Sequence, residues 1–544
     1  MKPVVWTIAG SDSGGGAGIQ ADLHAMHALG VHGCSVITAL TAQNSLAVTR
    51  VEYASPEMIR ATIDALAEDM PPAAVKLGMM GTADAVAVVG DFLDGYGGKV
   101  VCDPVMVSTS GSKLMTGEAR AAMLERVFPR ADMITPNRLE AEELLGRTLR
   151  TPAEVEAGAA ELLAMSGAKS VLIKGGHAGD DSVGSSGDPP PLPTPSPATA
   201  TTSSSPPDYP PLLSQDYWTD GDPENACWLT GPRVDSRDTH GTGCTLSSAA
   251  ASCLALGLGP LDAAVVAKAY VTQGIRAGAG RGPGKGPGPV AHTGWPSWGD
   301  CFPWVTPTAA AGQEGTGGGG EGEGGSRLRF LPCHREWGLY AVVDSAEWVE
   351  RLVALGVRDI QLRVKGEPSP EALDAEVAAA AAACRRGTGG EKGEGPEARG
   401  AARLWVNDHW RLAAKHSAYG VHLGQEDMAA AGGPAGLAAA AAAGLRLGVS
   451  THSYAELARA LAARPSYVSL GPVFATRSKD VGFGPQGLEG TGTPLVAIGG
   501  ITLQSAPEVL AAGAEGLAVI AAITKAEDVA AEVACWEDMF ARAR

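Results

Sequence analysis

Short apolar runs alternate with helical segments along the C-terminal part of the chain. Eight runs rich in β-branched or aliphatic residues begin at Leu339, Asp359, Arg403, Gly420, Arg446, Tyr467, Pro494 and Gly516. Helical spacing occurs between them, as in residues 346–355, 454–462 and 504–512. Eight such units in about 210 residues predict a (β/α)8 barrel, with a doubly wound sheet as the structural alternative. Most runs end in a polar residue or glycine, at the end where barrels place their active sites.

The N-terminal part shows the same alternation. Strand-like runs begin at Val4, Cys34, Ala73, Lys99, Asp132 and Ser170, and helical stretches separate them. This pattern predicts an open α/β sheet with helices on both faces.

Composition divides the 544-residue chain into two predicted domains, residues 1–295 and residues 336–544. Between them, residues 296–335 include a Gly/Glu-rich tract that cannot bury enough apolar surface to offset its ordering entropy, so we expect a flexible linker. Residues 182–211, rich in Pro, Ser and Thr, and residues 386–400, rich in Gly and Glu, interrupt the domains. Because long loops cost little closure entropy, we interpret both as surface insertions.

Charge and cysteine content exclude several classes of partner. The formal net charge is −18 and Lys and Arg are not clustered, which disfavours nucleic acid. No apolar run reaches the roughly 18 residues that a membrane span needs. The nine cysteines form no CxxC pair, so neither a disulfide framework nor a zinc site is indicated. Nucleic acid, a membrane and zinc are therefore all disfavoured as partners, and the oligomeric state stays open, a homo-oligomer included.

The first half contains two glycine-rich turns, and a helical segment follows each of them. They are residues 10–18 (GSDSGGGAG) and residues 238–244 (DTHGTGC). A helix N-terminus supplies unpaired N–H groups for an anion, and Gly241, Thr242 and Gly243 can direct successive amides at a phosphoryl group. The first turn is neither a Walker A loop nor a GxGxxG fingerprint, so it can also be a plain glycine-rich turn between a strand and a helix. The second turn alone is also only moderately specific.

Six motifs follow one another through residues 1 to about 290, apart from the insertion. They are TIAGSDSGGGAGIQADLHAMHALGVHGCSVITALTAQN, VKLGMMG, DPVM, ITPNRLEAEELLG, LIKGGH and DTHGTGC. The series resembles the hydroxymethylpyrimidine kinases of the ribokinase-like superfamily. By this resemblance Asp22 and Gln43 contact the pyrimidine, Met79 packs on it, and the GTGC turn forms an anion hole over the transferred phosphoryl group.

The same resemblance assigns the nucleotide end of the site. Asn137, Glu140 and Lys174 match positions associated with ATP and Mg²⁺, although Glu140 also suits the first turn of a helix as an acidic residue. Cys244 stands where many relatives carry an aspartate base, so we expect it to take the hydroxyl proton as a thiolate whose pKa the helix N-terminus lowers. The alternative is a small buried cysteine. We interpret His240 as structural or orienting.

Charged residues lie at or after the ends of the second, third and fourth predicted barrel strands. Arg363 and Lys365 lie two residues apart and project to the same side of an extended segment, where they can neutralise a pyrophosphate. Asp408 and Asp427 follow neighbouring strands, and paired carboxylates suit Mg²⁺. A solvated strand end and helix-capping aspartates are the alternatives.

The motifs QLRVK, VNDH, HLGQED, VSTHS, TRSK and AIGGI resemble thiamine-phosphate synthase in order, spacing and strand position over residues 337 to about 525. The resemblance implies that the pyrimidine pyrophosphate is held by Gln361, Arg363, Lys365, Asn407, Ser450 and Lys479. It places Mg²⁺ on Asp408 and Asp427. It implies that the thiazole phosphate is held by Thr476, Ser478, Gly500, Ile520 and Ala521. The sequence departs from the family at Val364, usually acidic, and at Ala521, usually serine.

Together the two resemblances imply consecutive steps of thiamine biosynthesis. The first half phosphorylates 4-amino-5-hydroxymethyl-2-methylpyrimidine and its monophosphate with ATP and Mg²⁺, and the second couples the pyrophosphate with hydroxyethylthiazole phosphate to give thiamine phosphate. A pyridoxal kinase fused to a barrel of other function is one alternative, and a non-catalytic barrel that senses pyrimidine phosphates is another. Similar fusions favour the chloroplast, but a strand-like run from Val4 leaves no room for a transit peptide, so the cytoplasm is the alternative.

Overall fold

The computed structural model describes residues 2–106, 114–175, 213–297, 299–308, 330–334, 336–386, 401–430, 437–474 and 493–543. The chain divides into two compact units. The first contains the residues up to Gly294 and a short segment beginning at Thr306, and the second contains Trp295–Val305 and the rest of the chain.

The first unit is built on an open sheet. The strands of the sheet are β1 (Val4–Asp12), β2 (His32–Gln43), β3 (Val48–Tyr53), β4 (Ala74–Leu77), β5 (Lys99–Cys102), β6 (Met133–Ile134), β7 (Val171–Ile173), β8 (Leu213–Thr219), β9 (Cys227–Pro232) and β10 (Trp304–Pro307), and the boundary of the unit falls within β10. The order is β10-β9-β8-β7-β6-β5-β4-β1-β2-β3. From β7 to β2 the neighbouring strands are parallel, whereas β3 pairs antiparallel with β2, and β8 with β7 and β9.

Helices cover both faces of this sheet. They are α1 (Gly18–Ala28), α2 (Pro56–Asp69), α3 (Ala83–Asp94), α4 (Gly117–Arg126), α5 (Arg138–Leu145), α6 (Pro152–Ser166), α7 (Thr242–Ala255) and α8 (Pro260–Gly278). Trp6 of β1 packs in a core with Ile59 of α2 and Val86 of α3, while the next residue, Thr7, donates a hydrogen bond to Asp22 of α1. Successive strand residues point to opposite faces, so these contacts lie on different sides. The predicted open α/β sheet is confirmed.

The strands β3, β8, β9 and β10 were not predicted from the sequence. In β3 four of the six residues are exposed, and in β8 the polar run Ser214, Gln215 and Asp216 follows the first residue, so neither strand reads as a continuous apolar run. Edge and antiparallel strands with a solvated face lack the continuous apolar run that marks a buried parallel strand.

The second unit is a closed barrel of eight parallel strands. They are β11 (Leu339–Val343), β12 (Asp359–Leu362), β13 (Arg403–Asn407), β14 (Gly420–Leu423), β15 (Arg446–Thr451), β16 (Tyr467–Leu470), β17 (Leu495–Ile498) and β18 (Gly516–Val519). Its helices are α9 (Ala346–Ala354), α10 (Pro370–Arg386), α11 (Trp410–Lys415), α12 (Gln425–Ala430), α13 (Ala438–Ala442), α14 (Tyr454–Ala462), α15 (Ala506–Ala511), α16 (Ala521–Thr524) and α17 (Val529–Ala543). All eight predicted strands and the barrel are confirmed, and the doubly wound alternative is wrong.

The described ends of the predicted linker contain ordered structure. Gly299–Cys301 form a single helical turn, and β10 follows it. Phe302 and Phe330 are each 3% exposed, which shows that apolar side chains near the Gly/Glu-rich tract are packed. The tract itself and the insertion at residues 182–211 lie outside the described residues, as does the insertion at 386–400 beyond Arg386. In the described part of the chain, no helix is long and apolar enough to cross a membrane.

Candidate active sites

The first glycine-rich turn is organised by Asp12, the last residue of β1. Its carboxylate accepts hydrogen bonds from the amides of Gly14, Gly16 and Ala17, at 2.8, 3.1 and 2.9 Å. Burial alone would raise the pKa of Asp12, but the hydrogen bonds from His240 and from these amides hold it below its usual value. The turn is therefore wrapped around an anionic side chain, directly before α1 begins.

The two glycine-rich turns pack against each other. Gly241, which precedes α7, has φ +79°, and a Cβ at this position would lie 1.9 Å from the carbonyl oxygen of Gly16. Only glycine accepts this left-handed backbone in so narrow a space. The N-terminus of α7, with Thr242 and Gly243, is thereby held beside the end of β1.

His240 links the second turn to the predicted pyrimidine end of the site. Its Nε2 lies 3.1 Å from Asp12 Oδ2 and 3.3 Å from Gln43 Nε2. Met79, also predicted at this end, is 8% exposed, and a Cβ at Gly10 would lie 3.1 Å from its Sδ. The structure therefore brings Gln43 and Met79 to the edges of the first turn, and the orienting interpretation of His240 fits its position.

Asp22 has a structural role that was not predicted from the sequence. This carboxylate is fully buried and accepts hydrogen bonds from Thr7 Oγ1 (2.6 Å), Lys76 Nζ (2.8 Å) and Ser248 Oγ (2.7 Å). Burial would lower the pKa of Lys76, but the adjacent Asp22 charge raises it above its usual range. Asp22 lies on the inward face of α1, where its carboxylate joins α1, β4 and α7.

A buried ion pair lies beside the N-terminus of α7. Lys174, which follows β7, donates a 2.7 Å hydrogen bond from Nζ to Asp103 Oδ1, and Asp103 follows β5. A Cβ at Gly243 would lie 3.3 Å from both Asp103 Oδ2 and Lys174 Nζ. Burial would lower the pKa of Lys174, yet the charges of Asp103 and Glu140 raise it, so the lysine stays cationic.

Lys174 was predicted from the sequence as a site residue, but Asp103 was not. The available signal was the DPVM motif, in which an aspartate directly follows a buried strand at the edge where α/β sheets bind ligands.

Asn137 and Glu140 form a reciprocal capping box at the start of α5. The Asn137 side chain accepts from the Glu140 amide at 2.9 Å, and the Glu140 carboxylate accepts from the Asn137 amide at 2.8 Å. Burial raises the pKa of Glu140 to about 7, a rise that Lys174 opposes and Asp103 reinforces. Glu140 thus caps a helix, as its alternative interpretation predicted, and also lies within the electrostatic reach of the Lys174–Asp103 pair.

The expectation of a low-pKa thiolate at Cys244 is wrong. Burial raises the pKa of this thiol to about 11, and the negative charges of Asp22 and Asp103 add to the rise. The nearby Lys76 and the amide of Gly18 act in the opposite direction but do not outweigh burial. The position of Cys244 in the first turn of α7 does not offset the pKa rise that burial and the nearby negative charges cause. Cys244 is therefore a protonated thiol at neutral pH.

In the barrel, a chain of side-chain amides leads to the predicted metal site. Gln361 Nε2, at the end of β12, donates to Asn407 Oδ1 at 2.6 Å, and Asn407 Nδ2 donates to Asp408 Oδ2 at 2.5 Å. Asp408 itself has φ +63°, a strained conformation for a residue with a side chain. Three predicted site residues from two neighbouring strands are thus brought together.

The carboxylates of Asp408 and Asp427 repel each other, and a divalent cation bound between them would relieve this repulsion. Burial and the adjacent Asp427 carboxylate raise the pKa of Asp408 to about 6. Arg363 opposes this rise, which places its exposed cation at the same barrel mouth. Among the described residues, no group of three or more His, Cys, Asp or Glu side chains could hold a metal. Two carboxylates fit Mg²⁺, which fills its other positions with phosphate oxygens and water.

The other predicted residues at this mouth are distributed around it. Lys365 Nζ pairs with Asp344 at 3.1 Å on the exposed side. Gly500 follows β17 with φ +65°, and Ile520, 39% exposed, precedes Ala521 at the start of α16. Thr476, Ser478 and Lys479 lie outside the described residues.

A hydrogen-bonded series inside the barrel was not predicted from the sequence. Tyr340 OH lies 2.7 Å from Tyr467 OH, which lies 2.6 Å from His422 Nδ1, and His422 Nε2 lies 2.7 Å from Ser450 Oγ. Burial and the charge of Arg363 lower the pKa of His422 to about 4, so the ring is neutral. The series holds the Ser450 hydroxyl in one orientation. The signal was a histidine within the buried strand of HLGQED.

Two family models match the chain in separate regions. Residues 12–187 and 210–291 match the phosphomethylpyrimidine kinase family, and residues 339–523 match the thiamine monophosphate synthase family. A hydroxymethylpyrimidine/phosphomethylpyrimidine kinase of Rhizobium meliloti is 40% identical over 54% of this chain and 97% of that protein. A thiamine-phosphate synthase of Escherichia coli is 50% identical over 37% of this chain and 90% of that protein.

Solved structures also resemble the first half. A phosphomethylpyrimidine kinase from Clostridium difficile is 35% identical over 50% of this chain and all of that chain, with a TM-score of 0.40. A pyridoxal kinase from Staphylococcus aureus in complex with AMP-PCP and pyridoxal is 28% identical over 54% of this chain and 94% of that chain, with a TM-score of 0.44. On the sequence relationships over nearly the full length of each relative, the chain belongs to the phosphomethylpyrimidine kinase family in its first half and to the thiamine-phosphate synthase family in its second.

Proposed function

We propose that the first unit transfers phosphoryl groups from ATP to 4-amino-5-hydroxymethyl-2-methylpyrimidine and then to its monophosphate. The observation that carries this proposal is the Lys174–Asp103 pair beside Gly243 at the N-terminus of α7. A retained cation and the unpaired amides of a first helical turn stabilise negative charge on a transferring phosphoryl group. Gln43 and Met79 lie on the side of the glycine-rich turns where the pyrimidine would bind.

Phosphoryl transfer depends mainly on positioning and electrostatic stabilisation. Because burial raises the pKa of the Cys244 thiol to about 11, the proposal assigns this thiol no role as a general base. The carboxylates of Asp103 and Glu140, both within the electrostatic reach of Lys174, fit an Mg²⁺ ion bound with the nucleotide. When bound, that ion would neutralise phosphate charge.

We propose that the barrel joins the pyrimidine pyrophosphate to hydroxyethylthiazole phosphate and releases pyrophosphate. Asp408 and Asp427 would hold Mg²⁺, which would neutralise the departing pyrophosphate. Arg363 and Lys365 lie at the same mouth and would stabilise that leaving group, and Gln361 and Asn407 would orient the pyrimidine end. The bond between the methylene carbon and the pyrophosphate oxygen would break first to leave a pyrimidine-stabilised cation, which the thiazole nitrogen would then attack. The product is thiamine phosphate.

The proposal is tested by separate half-reactions on the full chain. Pyrimidine phosphorylation is measured with ATP and Mg²⁺, with pyridoxal as the competing acceptor, and coupling is measured with supplied pyrimidine pyrophosphate. We expect Lys174→Met to abolish only phosphorylation and Asp408→Asn to impair only coupling. Preference for pyridoxal over the pyrimidine, or coupling unaffected by Asp408→Asn, would contradict the respective half of the proposal.

A further inference from the structure

One buried carboxylate closes a glycine- and proline-rich loop that follows α8. Asp238, 2% exposed, accepts hydrogen bonds from the amides of Gly280 at 2.7 Å, Gly282 at 3.4 Å and Gly288 at 2.9 Å. The first two reach Oδ2 and the third reaches Oδ1, so both oxygens are used. We call residues 280–288 the glycine loop.

The neck of the glycine loop has no room for a side chain. A Cβ on Gly288 would lie 2.4 Å from Asp238 Oδ1 and 2.5 Å from the Cα of Gly282. The backbone segments at Gly282 and Gly288 therefore both contact the Asp238 carboxylate directly, which fixes the backbone at the base of the glycine loop.

The far side of the glycine loop rests on the turn between β2 and β3. The amide of Gly286 donates to Ser45 Oγ at 3.1 Å. Ser45 lies two residues after Gln43, and the amide of Gln43 is itself held by Ser13 Oγ at 2.8 Å. A displacement of the glycine loop would remove one support from the turn that carries Gln43.

The near end of the glycine loop rests on His240. The His240 amide donates to the carbonyl oxygen of Gly288 at 3.0 Å, and the Val290 amide donates to the His240 carbonyl oxygen at 3.4 Å. The ring of His240 contacts both Asp12 and Gln43. The loop thus touches the surroundings of Gln43 from two sides, through Ser45 and through His240.

We propose that Asp238 is a positioning residue for the pyrimidine end of the kinase site, acting through the glycine loop on Ser45, His240 and Gln43. This inference rests on the proposed kinase function. Asp238 touches no reacting atom, and its effect falls on the geometry of Gln43. Loss of the loop anchor should therefore weaken recognition of the pyrimidine more than turnover at saturation.

The test compares Asp238→Asn with Asp64→Asn, an exposed control on α2, in the full chain. Asparagine offers one acceptor oxygen, so it cannot serve both sides of the neck. We expect the KM for hydroxymethylpyrimidine to rise about tenfold, since small misplacements near a site have large effects, with kcat changed much less. We expect faster hydrogen exchange at residues 280–288 and at residues 44–47, with β4 unchanged and Asp64→Asn like the wild type.

Ser45→Ala is the second variant, because it removes the loop-to-hairpin bond without touching the buried anchor. It should raise the same KM in the same direction, and adding it to Asp238→Asn should have less than the combined effect. The proposal is overturned if Asp238→Asn leaves the KM for hydroxymethylpyrimidine unchanged. It is also overturned if hydrogen exchange becomes faster at residues 280–288 but not at residues 44–47. If the wild type does not phosphorylate the pyrimidine, the proposed function fails, and exchange at 44–47 alone decides whether Asp238 holds the hairpin.

Discussion

Lys174 and Asp103 form a 2.7 Å ion pair beside Gly243, so the cation that we propose for the kinase site is held at the N-terminus of α7 by a carboxylate that follows another strand. The two residues follow β7 and β5, which are separated only by β6 in the sheet. The parallel order of the strands therefore brings together two charges 71 residues apart in the chain.

Asp103→Asn should disable the kinase. The substitution keeps the shape of the side chain but leaves the buried Lys174 without its counter-charge, and it weakens the site for the nucleotide-bound metal. Loss of one such electrostatic contact commonly lowers the rate on the order of 10²-fold. Initial rates of pyrimidine phosphorylation check this, with Asp64→Asn as the control for a lost surface charge. Phosphorylation within a few fold of wild type would show that Asp103 is only structural.

The Cys244 thiol should react as a protonated thiol at neutral pH. Its pKa of about 11 means that the thiolate fraction, and with it the alkylation rate, rises about tenfold per pH unit between pH 7 and 9.5. Mass spectrometry of the Cys244 peptide after brief alkylation measures this rate, and the exposed Cys535 reports reagent quality in the same samples. A rate that levels off near pH 7 would restore the thiolate hypothesis.

Asp408→Asn and Asp427→Asn should each impair coupling while sparing the kinase. Each removes one carboxylate charge from the proposed Mg²⁺ site, so we expect a rate loss on the order of 10²-fold at limiting Mg²⁺ and partial recovery at high Mg²⁺. Coupling rates over a Mg²⁺ series measure both effects, with Glu371→Gln on the exposed start of α10 as the control. Near-normal coupling at limiting Mg²⁺ in both variants would leave the aspartates as capping residues.

Lys76→Met should destabilise the first unit. The change leaves the fully buried Asp22 carboxylate without its cation, and breaking a buried pair in this way costs about 3–5 kcal/mol. Lys76→Met combined with Asp22→Leu removes both charges and should recover much of that loss. Native-state hydrogen exchange of the β4 amides in the full chain measures the difference. Equal destabilisation by the single and double variants would show that the charges are not coupled.

Buried parallel strands made the fold readable from the sequence. Each barrel strand contains a short aliphatic run, and residues could be placed from these runs because Gln361 lies near the end of one strand and Asp408 directly follows the next. Burial and side-chain pairing were harder to predict from the sequence. Nothing local in the sequence shows that Asp22 faces Lys76, which lies 54 residues away. Nor does it show that burial raises the pKa of Cys244 more than a helix N-terminus lowers it. The Tyr467–His422–Ser450 series likewise depends on the closure of the barrel.

If one chain performs both consecutive reactions, a single assay of thiamine phosphate will show it. Purified protein is incubated with ATP, Mg²⁺, hydroxymethylpyrimidine and hydroxyethylthiazole phosphate. The wild type should form thiamine phosphate, Lys174→Met should form it only when pyrimidine pyrophosphate is supplied, and Asp408→Asn should accumulate that pyrophosphate instead. Mixing the two variants should restore product. No thiamine phosphate from the wild type, with or without supplied pyrimidine pyrophosphate, would contradict the account.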